Sequence, residues 1–379
     1  MKKVILDREL FLSKLGKTIK FIPSKTIIPA FDNAVINITE NNAEIIASNG
    51  NTMVKVDCQV SSTEPFAFCV PAKLLYKTIS LFNENKVTIT LKTEDSIEVK
   101  CGKSKYKISL DCFPQDFPIM KVDGFHSEIN MRQFDLKLGL DAAQKFVDEN
   151  HQNANMTAVR VSEIDNKIVF TGLTQAIMCR AALSPISINK WESICVSKEC
   201  ASKVVSLLSE KGEVSITNNG NHISFFTDKD SLDGFEVIST SANVKFPDSE
   251  RLFSKKPENE VVINAMEFTG AVKRLELYAS SAPAKVVIKS IDDNEISLTS
   301  TDNLLKRDGE EIVSAKNNSQ HNIQKIFGID DFLQILSHIN SNDFTFLFSE
   351  QKNRSSFIIP KVNTEHENIF SFLIADFIE

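Results

Sequence analysis

No stretch of this sequence stays apolar for long. The longest runs, Phe66–Pro71 and Phe370–Ala375, fall far short of the ~20 residues a helix needs to cross a bilayer, so no membrane span is expected. The opening Met1-Lys2-Lys3-Val4-Ile5-Leu6-Asp7 is basic like a leader peptide, but it meets Asp7 before an apolar core or a small-residue cleavage site can develop. A cytoplasmic protein is expected. Cysteine spacing is missing too. Cys58, Cys69, Cys101, Cys112, Cys179, Cys195 and Cys200 are odd in number and scattered, which fits reduced core thiols rather than disulfides or a metal site. Six histidines (126, 151, 222, 321, 338 and 366) show neither metal spacing nor a triad partner. Gly102-Lys103-Ser104 has the end of a phosphate loop, but that loop needs a glycine where Ile97 stands, so a hairpin turn is the better reading. The acidic pairs Asp292-Asp293 and Asp330-Asp331 suit a turn and a helix start. No catalytic constellation remains, so a non-enzymatic protein with no cofactor and no metal is expected. Positive charge is also short: the net charge is −7, which argues against a uniformly basic nucleic-acid binder but permits a local footprint.

What is present is repetition, at two levels. Three segments open alike, roughly 125–135 residues apart, a spacing of one domain each. Val4-Ile5-Leu6-Asp7-Arg8-Glu9-Leu10-Phe11, Glu128-Ile129-Asn130-Met131-Arg132-Gln133-Phe134 and Val262-Ile263-Asn264-Ala265-Met266-Glu267-Phe268 each read as a short strand running into a helix. In the second helix the apolar stripe is Phe134, Leu138 and Ala142. In the third it is Phe268 and Val272, weakened by Glu276. Midway through each segment a second start recurs: Phe68-Cys69-Val70-Pro71-Ala72-Lys73, Ile194-Cys195-Val196-Ser197-Lys198-Glu199 and, more loosely, Phe327-Gly328-Ile329-Asp330-Asp331-Phe332. Pro71, Ser197 and Asp330 stand at N-cap or first-turn positions. Alternating strands follow, as in Val87–Leu91, Val214–Thr217 and Phe344–Phe348. The pattern predicts an α+β chain of three tandem similar domains, 1–123, 124–252 and 253–379. Each has two helices packed on antiparallel sheets, six helices in all. Expected helices include Pro71–Phe82, Met131–Val147, Ser197–Lys211 and Asp330–Asn340.

This pattern resembles the β subunit of bacterial DNA polymerase III, the sliding-clamp family. Thr26-Ile27-Ile28-Pro29-Ala30-Phe31-Asp32-Asn33, Val70-Pro71-Ala72-Lys73, Gly102-Lys103-Ser104-Lys105-Tyr106 with Asp116-Phe117-Pro118, and Lys245-Phe246-Pro247-Asp248 with Arg251 are similar to family segments in the same order. The resemblance implies a DNA clamp fold and a ring-forming, head-to-tail homodimer that encircles duplex DNA and gives a polymerase processivity in DNA replication. It implies that helix cations contact phosphate without base readout. The residues are Arg8, Lys14 and Lys17 on the first helix, Lys25 in the following loop, Lys73 and Lys77, Arg132 and Lys137, Lys198 and Lys203, then Lys273 and Arg274. The sixth helix has no Lys or Arg. It further implies a dimer contact of Lys103, Lys105, Tyr106 and Ile108 against Leu277 and Tyr278. Asp302, Glu310 and Glu311 stand as acidic partners for Lys103, Lys105 and Lys107. A lysine-guarded edge strand is the alternative reading of that segment; the resemblance favours the interface.

The family also implies that polymerase and clamp loader dock by a short peptide in an apolar pocket. Its positions carry over to Met156, Thr171, Leu173, Pro247, Arg251, Leu252, Leu373 and Ile374. Two departures stand out. The family's threonine-led pocket stretch contains a His-Arg pair, but here it reads Thr171-Gly172-Leu173-Thr174-Gln175-Ala176. The tail reads Ala375-Asp376-Phe377-Ile378-Glu379, without the family's proline and with added acids. These departures keep open a divergent clamp-fold scaffold with no role beside the replicative polymerase. An enzyme of unknown class is disfavoured by the missing constellation.

Overall fold

The computed structural model describes residues 2–228, 234–254, 256–280, 283–319, 322–351, 355–361 and 369–376. It is α+β. Among the described residues there are seven helices: α1 (Arg8–Ile19), α2 (Ala72–Ser80), α3 (Gln133–Lys145), α4 (Lys198–Val205), α5 (Ser249–Phe253), α6 (Ala265–Glu276) and α7 (Ile329–Leu336). Two compact units share the chain, Met1–Lys137 with Pro185–Ala242, and Leu138–Ser184 with Asn243–Glu379.

The helix starts follow local chemistry. The carboxylate of Asp7 accepts from Leu10 N, Ser197 Oγ from Cys200 N and the Asn264 amide oxygen from Glu267 N, each satisfying a backbone donor that the first turn leaves free. Pro71 occupies the cap of α2, and Asp330 lies in the first turn of α7 behind Gly328. α4 stops at Val205, well short of the expected Lys211, because Leu207 and Leu208 turn inward and are buried. α5 was not expected. It is a single turn begun by Asp248, whose carboxylate accepts from Arg251 N at 3.2 Å. In α3 the buried residues include Leu136, Leu140, Ala143 and the expected Ala142, while Leu138 is half-buried and Phe134 is 45% exposed. The helical period was legible, but the stripe was placed off the centre of the buried face, most plainly at Phe134.

In the first unit, a five-stranded sheet places Ser104–Ser109 at its edge, bonded to Ser96–Cys101. A nine-stranded antiparallel sheet joins Glu236–Thr240 to Thr52–Gln59. In the second unit, Ala158–Ile164, Lys167–Leu173, Ile177–Leu183, Phe370–Ile374, Ser356–Pro360, Asp343–Phe348, Asn259–Asn264 and Arg307–Asn317 are successive neighbours. Its core is rich in phenylalanine. Phe268 meets Phe332 at 5.3 Å and Phe344 at 5.4 Å, and Phe327 meets Phe332 edge-on at 5.1 Å. Pairs of this kind add about 0.5–1.5 kcal/mol each beyond the area they bury. α3 lies close on the Lys167–Leu173 strand, with contact made through glycine. A Cβ on Gly172 would stand 2.0 Å from the Ala143 carbonyl oxygen, and one on Gly139 2.3 Å from the Phe170 ring.

Candidate partner pocket and nucleic-acid face

Strand alternation decides which pocket candidates can act together, since successive side chains leave a strand on opposite faces. Leu373 lies in an apolar cluster with Met178, Phe253, Leu347 and Phe357, and Leu173 and Ile359 pack against it. Leu173 stands directly opposite Met178, and Met178 opposite Leu373. Its neighbour Ile374 turns the other way, into the core of the second unit beside Phe372 and Phe346. Ile374 is therefore a core residue, a correction to its assignment to the pocket. Leu252 (44% exposed) and Arg251 are surface residues on α5, and Pro247 and Met156 are half-buried. Phe253, buried in the cluster, was missed. It follows the recognised Pro247–Leu252 positions, so α5 was the missing signal.

Thr171 lies two residues before Leu173 and is fully buried, its Oγ1 without a hydrogen-bond partner. Opposite it in register is Arg180. The Arg180 guanidinium lies 5.4 Å over the Phe253 ring and 3.3 Å from a Glu250 carboxylate oxygen. Where the family carries His-Arg, the chain makes a self-satisfied turn, with Thr174 Oγ1 accepting from Ile177 N at 2.9 Å. A cavity of about 530 Å³ adjoins this turn, lined by Asp148, His151, Thr174, Gln175, Ala176, Asp331, Ala375 and Asp376. Asp376 is an internal group. It accepts from Lys325 Nζ and from Ser356 Oγ, so the first departure in the tail fastens the last strand rather than adding a loose charge. Burial pushes its carboxyl up, against the pull of Lys325. The other tail changes, at Phe377, Ile378 and Glu379, lie outside the described residues.

The candidate phosphate-contacting cations divide into four groups. Arg8 donates to the carbonyls of Ile79 (3.2 Å) and Ser80 (2.8 Å), tying α1 to the end of α2. Lys14 is only 3% exposed, so it does not present its charge to solvent as expected. A second group is paired within the chain: Arg132 with Asp135 (2.6 Å), Lys137 with Glu210 (2.6 Å), Lys203 with Glu199 (2.6 Å) and Arg274 with Glu311 (2.7 Å). The Arg274 guanidinium holds the Glu311 carboxyl below its ordinary range. Lys73 donates to Pro23 O at 2.7 Å, and Lys17 and Lys198 are half-buried with contacts of their own. Lys25, Lys77 and Lys273 are exposed and form no ion pair among the described residues.

At the expected dimer surfaces, Lys103, Lys105 and Tyr106 are exposed, and Tyr106 leans on Phe82 at 5.7 Å. Ile108 is 4% exposed and packs inside its own sheet, so it is not available as a contact, a second correction. Leu277 (72% exposed) and Tyr278 follow α6, and Tyr278 lies beside Gly309 of the Arg307–Asn317 strand. Leu304, Leu305 and Ile312 are also exposed, the first two in the turn before that strand and the third on the strand itself. They escaped the sequence reading because each stands among polar residues. Asp302 is buried and accepts from Leu304 N and Leu305 N as a turn cap, while Glu310 accepts from Ser297 Oγ. Asp302 is thus removed from the set of lysine partners.

The buried thiols are chemically quiet, with Cys58 and Cys200 pushed up to about 11 by burial. Among the described residues no group of three or more His, Cys, Asp or Glu is placed to hold a metal, and no helix is long and apolar enough to cross a membrane.

Comparison with known proteins shows first the fold, which is that of solved DNA sliding clamps. The structure is similar to the DNA polymerase sliding clamp of Pseudomonas aeruginosa over 100% of both chains, with a TM-score of 0.90 at 16% identity. It is also similar to the sliding clamp (DNA polymerase III subunit beta) of Bartonella birtlesii, with a TM-score of 0.87 at 17% identity over 100% of both chains. Residues 2–121 match the family described as DNA polymerase III beta subunit, N-terminal domain. The beta sliding clamp of Staphylococcus epidermidis is 20% identical over 311 residues, 79% of this chain and 81% of that protein. The chain thus shares the fold of these clamps along its whole length, and its residues 2–121 match the N-terminal domain of the polymerase III beta subunit.

Proposed function

We propose that the chain is a processivity clamp. Two copies close head to tail around duplex DNA, and a polymerase and the clamp loader dock on them through a short peptide. One observation carries this reading: a strand junction is used twice within the chain and left open a third time. In the first unit, Glu236–Thr240 pairs with Thr52–Gln59, Glu236 opposite Lys55 and bonded to it at 3.0 Å. In the second unit, Phe370–Ile374 pairs with Ile177–Leu183, Leu373 opposite Met178. The equivalent strands of the remaining junction are Ser104–Ser109 and Arg307–Asn317. The first stands at its sheet edge. The second has its outer side paired only at 315–317. One edge carries Lys103, Lys105 and Lys107; the other carries Asp308, Glu310 and Glu311. An edge that meets its complement on a second copy, and whose rotation closes, makes a ring.

The three repeats then form domains 1–123, 124–252 and 253–379. Lys25, Lys77 and Lys273 meet phosphate without reading bases. Leu173, Leu252, Pro247, Arg251 and Met156, which keep exposure, meet the apolar side chains of the partner peptide, seated on the buried cluster of Met178, Phe253, Leu347, Phe357 and Leu373. Light scattering at low micromolar concentration tests ring closure. A mass of twice the 42.4 kDa chain is expected, and a chain that stays monomeric at high concentration would break the encirclement reading.

A further inference from the structure

The exposed face of the five-stranded sheet holds a charge arrangement that the ring does not explain. A groove of about 370 Å³ is lined by Lys3, Lys86, Lys92, Lys100 and Lys105, together with Thr88, Thr90, Glu84, Glu98 and Gly102. Five lysines meet two glutamates, in a chain whose net charge is −7. Glu98 is partly spent on Lys92, at 3.3 Å. Lys100 and Lys105 stand directly opposite each other in register, with Thr88 beside Lys100 on the next strand. Like charges placed opposite on a sheet are destabilising. Here no acid separates them, and Lys3, Lys86, Lys100 and Lys105 are all exposed. Charge guards against edge pairing belong on an edge strand, yet Lys86 and Lys100 lie on interior strands.

We propose that this face binds the phosphate backbone of duplex DNA outside the ring, without reading its sequence. The lining chemistry selects the occupant. Lysine ammonium and threonine hydroxyl groups are phosphate partners. The lining has no aromatic or large aliphatic side chain. A protein partner therefore finds no apolar anchor, and a single strand finds no platform for its exposed bases. A duplex presents only phosphate at its rim. The sheet face and the helix cations are separate sets of residues. Lys105 belongs also to the proposed ring-closing edge, so the test changes only Lys86 and Lys100, which lie on interior strands.

Covalently closed circular duplex is the probe, because a closed ring cannot thread onto it unaided. Binding is measured at 50–200 mM salt for the full chain and for a Lys86→Gln/Lys100→Gln variant. Removing two phosphate contacts should flatten the plot of log affinity against log salt by roughly 1.8, and lower affinity about tenfold at the low-salt end. The variant should melt no lower than the parent, since it relieves Lys100–Lys105 repulsion. That second reading separates lost contact from lost fold. Unchanged affinity and slope would overturn the proposal, and so would tighter binding to a single strand of equal length than to duplex.

Discussion

On the helices, cations sit beside acids of the same chain; on the sheet face around Lys100, they sit beside one another. Arg132, Lys137, Lys203 and Arg274 each hold a carboxylate within 2.7 Å. Lys100 faces Lys105 across a strand pair. A count of basic residues would rank the helices as the stronger anion surface. Partnering reverses that order, because a surface pair contributes little to stability but cancels most of its own field. Under the proposed clamp function, the helix face gains from such cancellation. Weak, interchangeable phosphate contacts permit movement where a dense cationic track would arrest it.

The largest effect is expected where pairing is most buried. Lys325 and Asp376 form an ion pair with both side chains below a tenth exposed. Lys325→Ala leaves a buried carboxylate alone and should cost about 3–5 kcal/mol in chemical denaturation. A loss below ~1 kcal/mol would place this pair with the surface ones. Next, Phe253→Ala should cost about 3 kcal/mol, and should weaken capture of a Leu/Phe-containing clamp-binding peptide at least tenfold in a titration. Full retention of peptide affinity would remove the apolar cluster from the docking site.

Glu199→Gln with Glu210→Gln sharpens the comparison directly. It frees Lys203 and Lys137, so affinity for a short linear duplex should rise several-fold and its salt dependence steepen by roughly 1.8. No change would mean that the helix pairs do not mask a DNA-facing charge. The smallest effect concerns His338, packed against Phe146 (5.1 Å) and Phe372 (6.4 Å). Burial holds its imidazole below the ordinary range; Lys145 adds to this, while the Gln334 carbonyl and Asp141 oppose it. Protonation therefore favours the unfolded chain. Its contribution is complete above about pH 6.5 and falls as the pH drops below that, by at most ~1.4 kcal/mol per unit. His338→Leu should flatten the melting temperature between pH 7 and pH 5; an unaltered acid slope would contradict this.

Much of the fold could be read because it is periodic and capped. Ser197 announced a helix through its side-chain oxygen, the repeated openings at Val4, Glu128 and Val262 announced three more, and the alternation in Val87–Leu91 and Phe344–Phe348 gave strands. α5 could not be read, since a one-turn helix has no period. The stripe of α3 was placed off centre because Phe134 looks like a core residue, and only the strand beneath α3 decides which face is buried. In the pocket, Leu373 and Ile374 are equally apolar, and strand pairing alone sends one to each face. The charged residues were the least legible. Charge type is written in the sequence, but whether Lys137 finds Glu210, 73 residues away, is settled by folding.

Encirclement is tested most directly by topology. The proposed dimer is separated by dilution, reassembled with nicked circular duplex, and washed in high salt to strip protein held by charge alone. The account predicts that protein stays on the circle through the wash and is released when one restriction cut makes the DNA linear. Release by salt from the intact circle, or retention after linearisation, would contradict it.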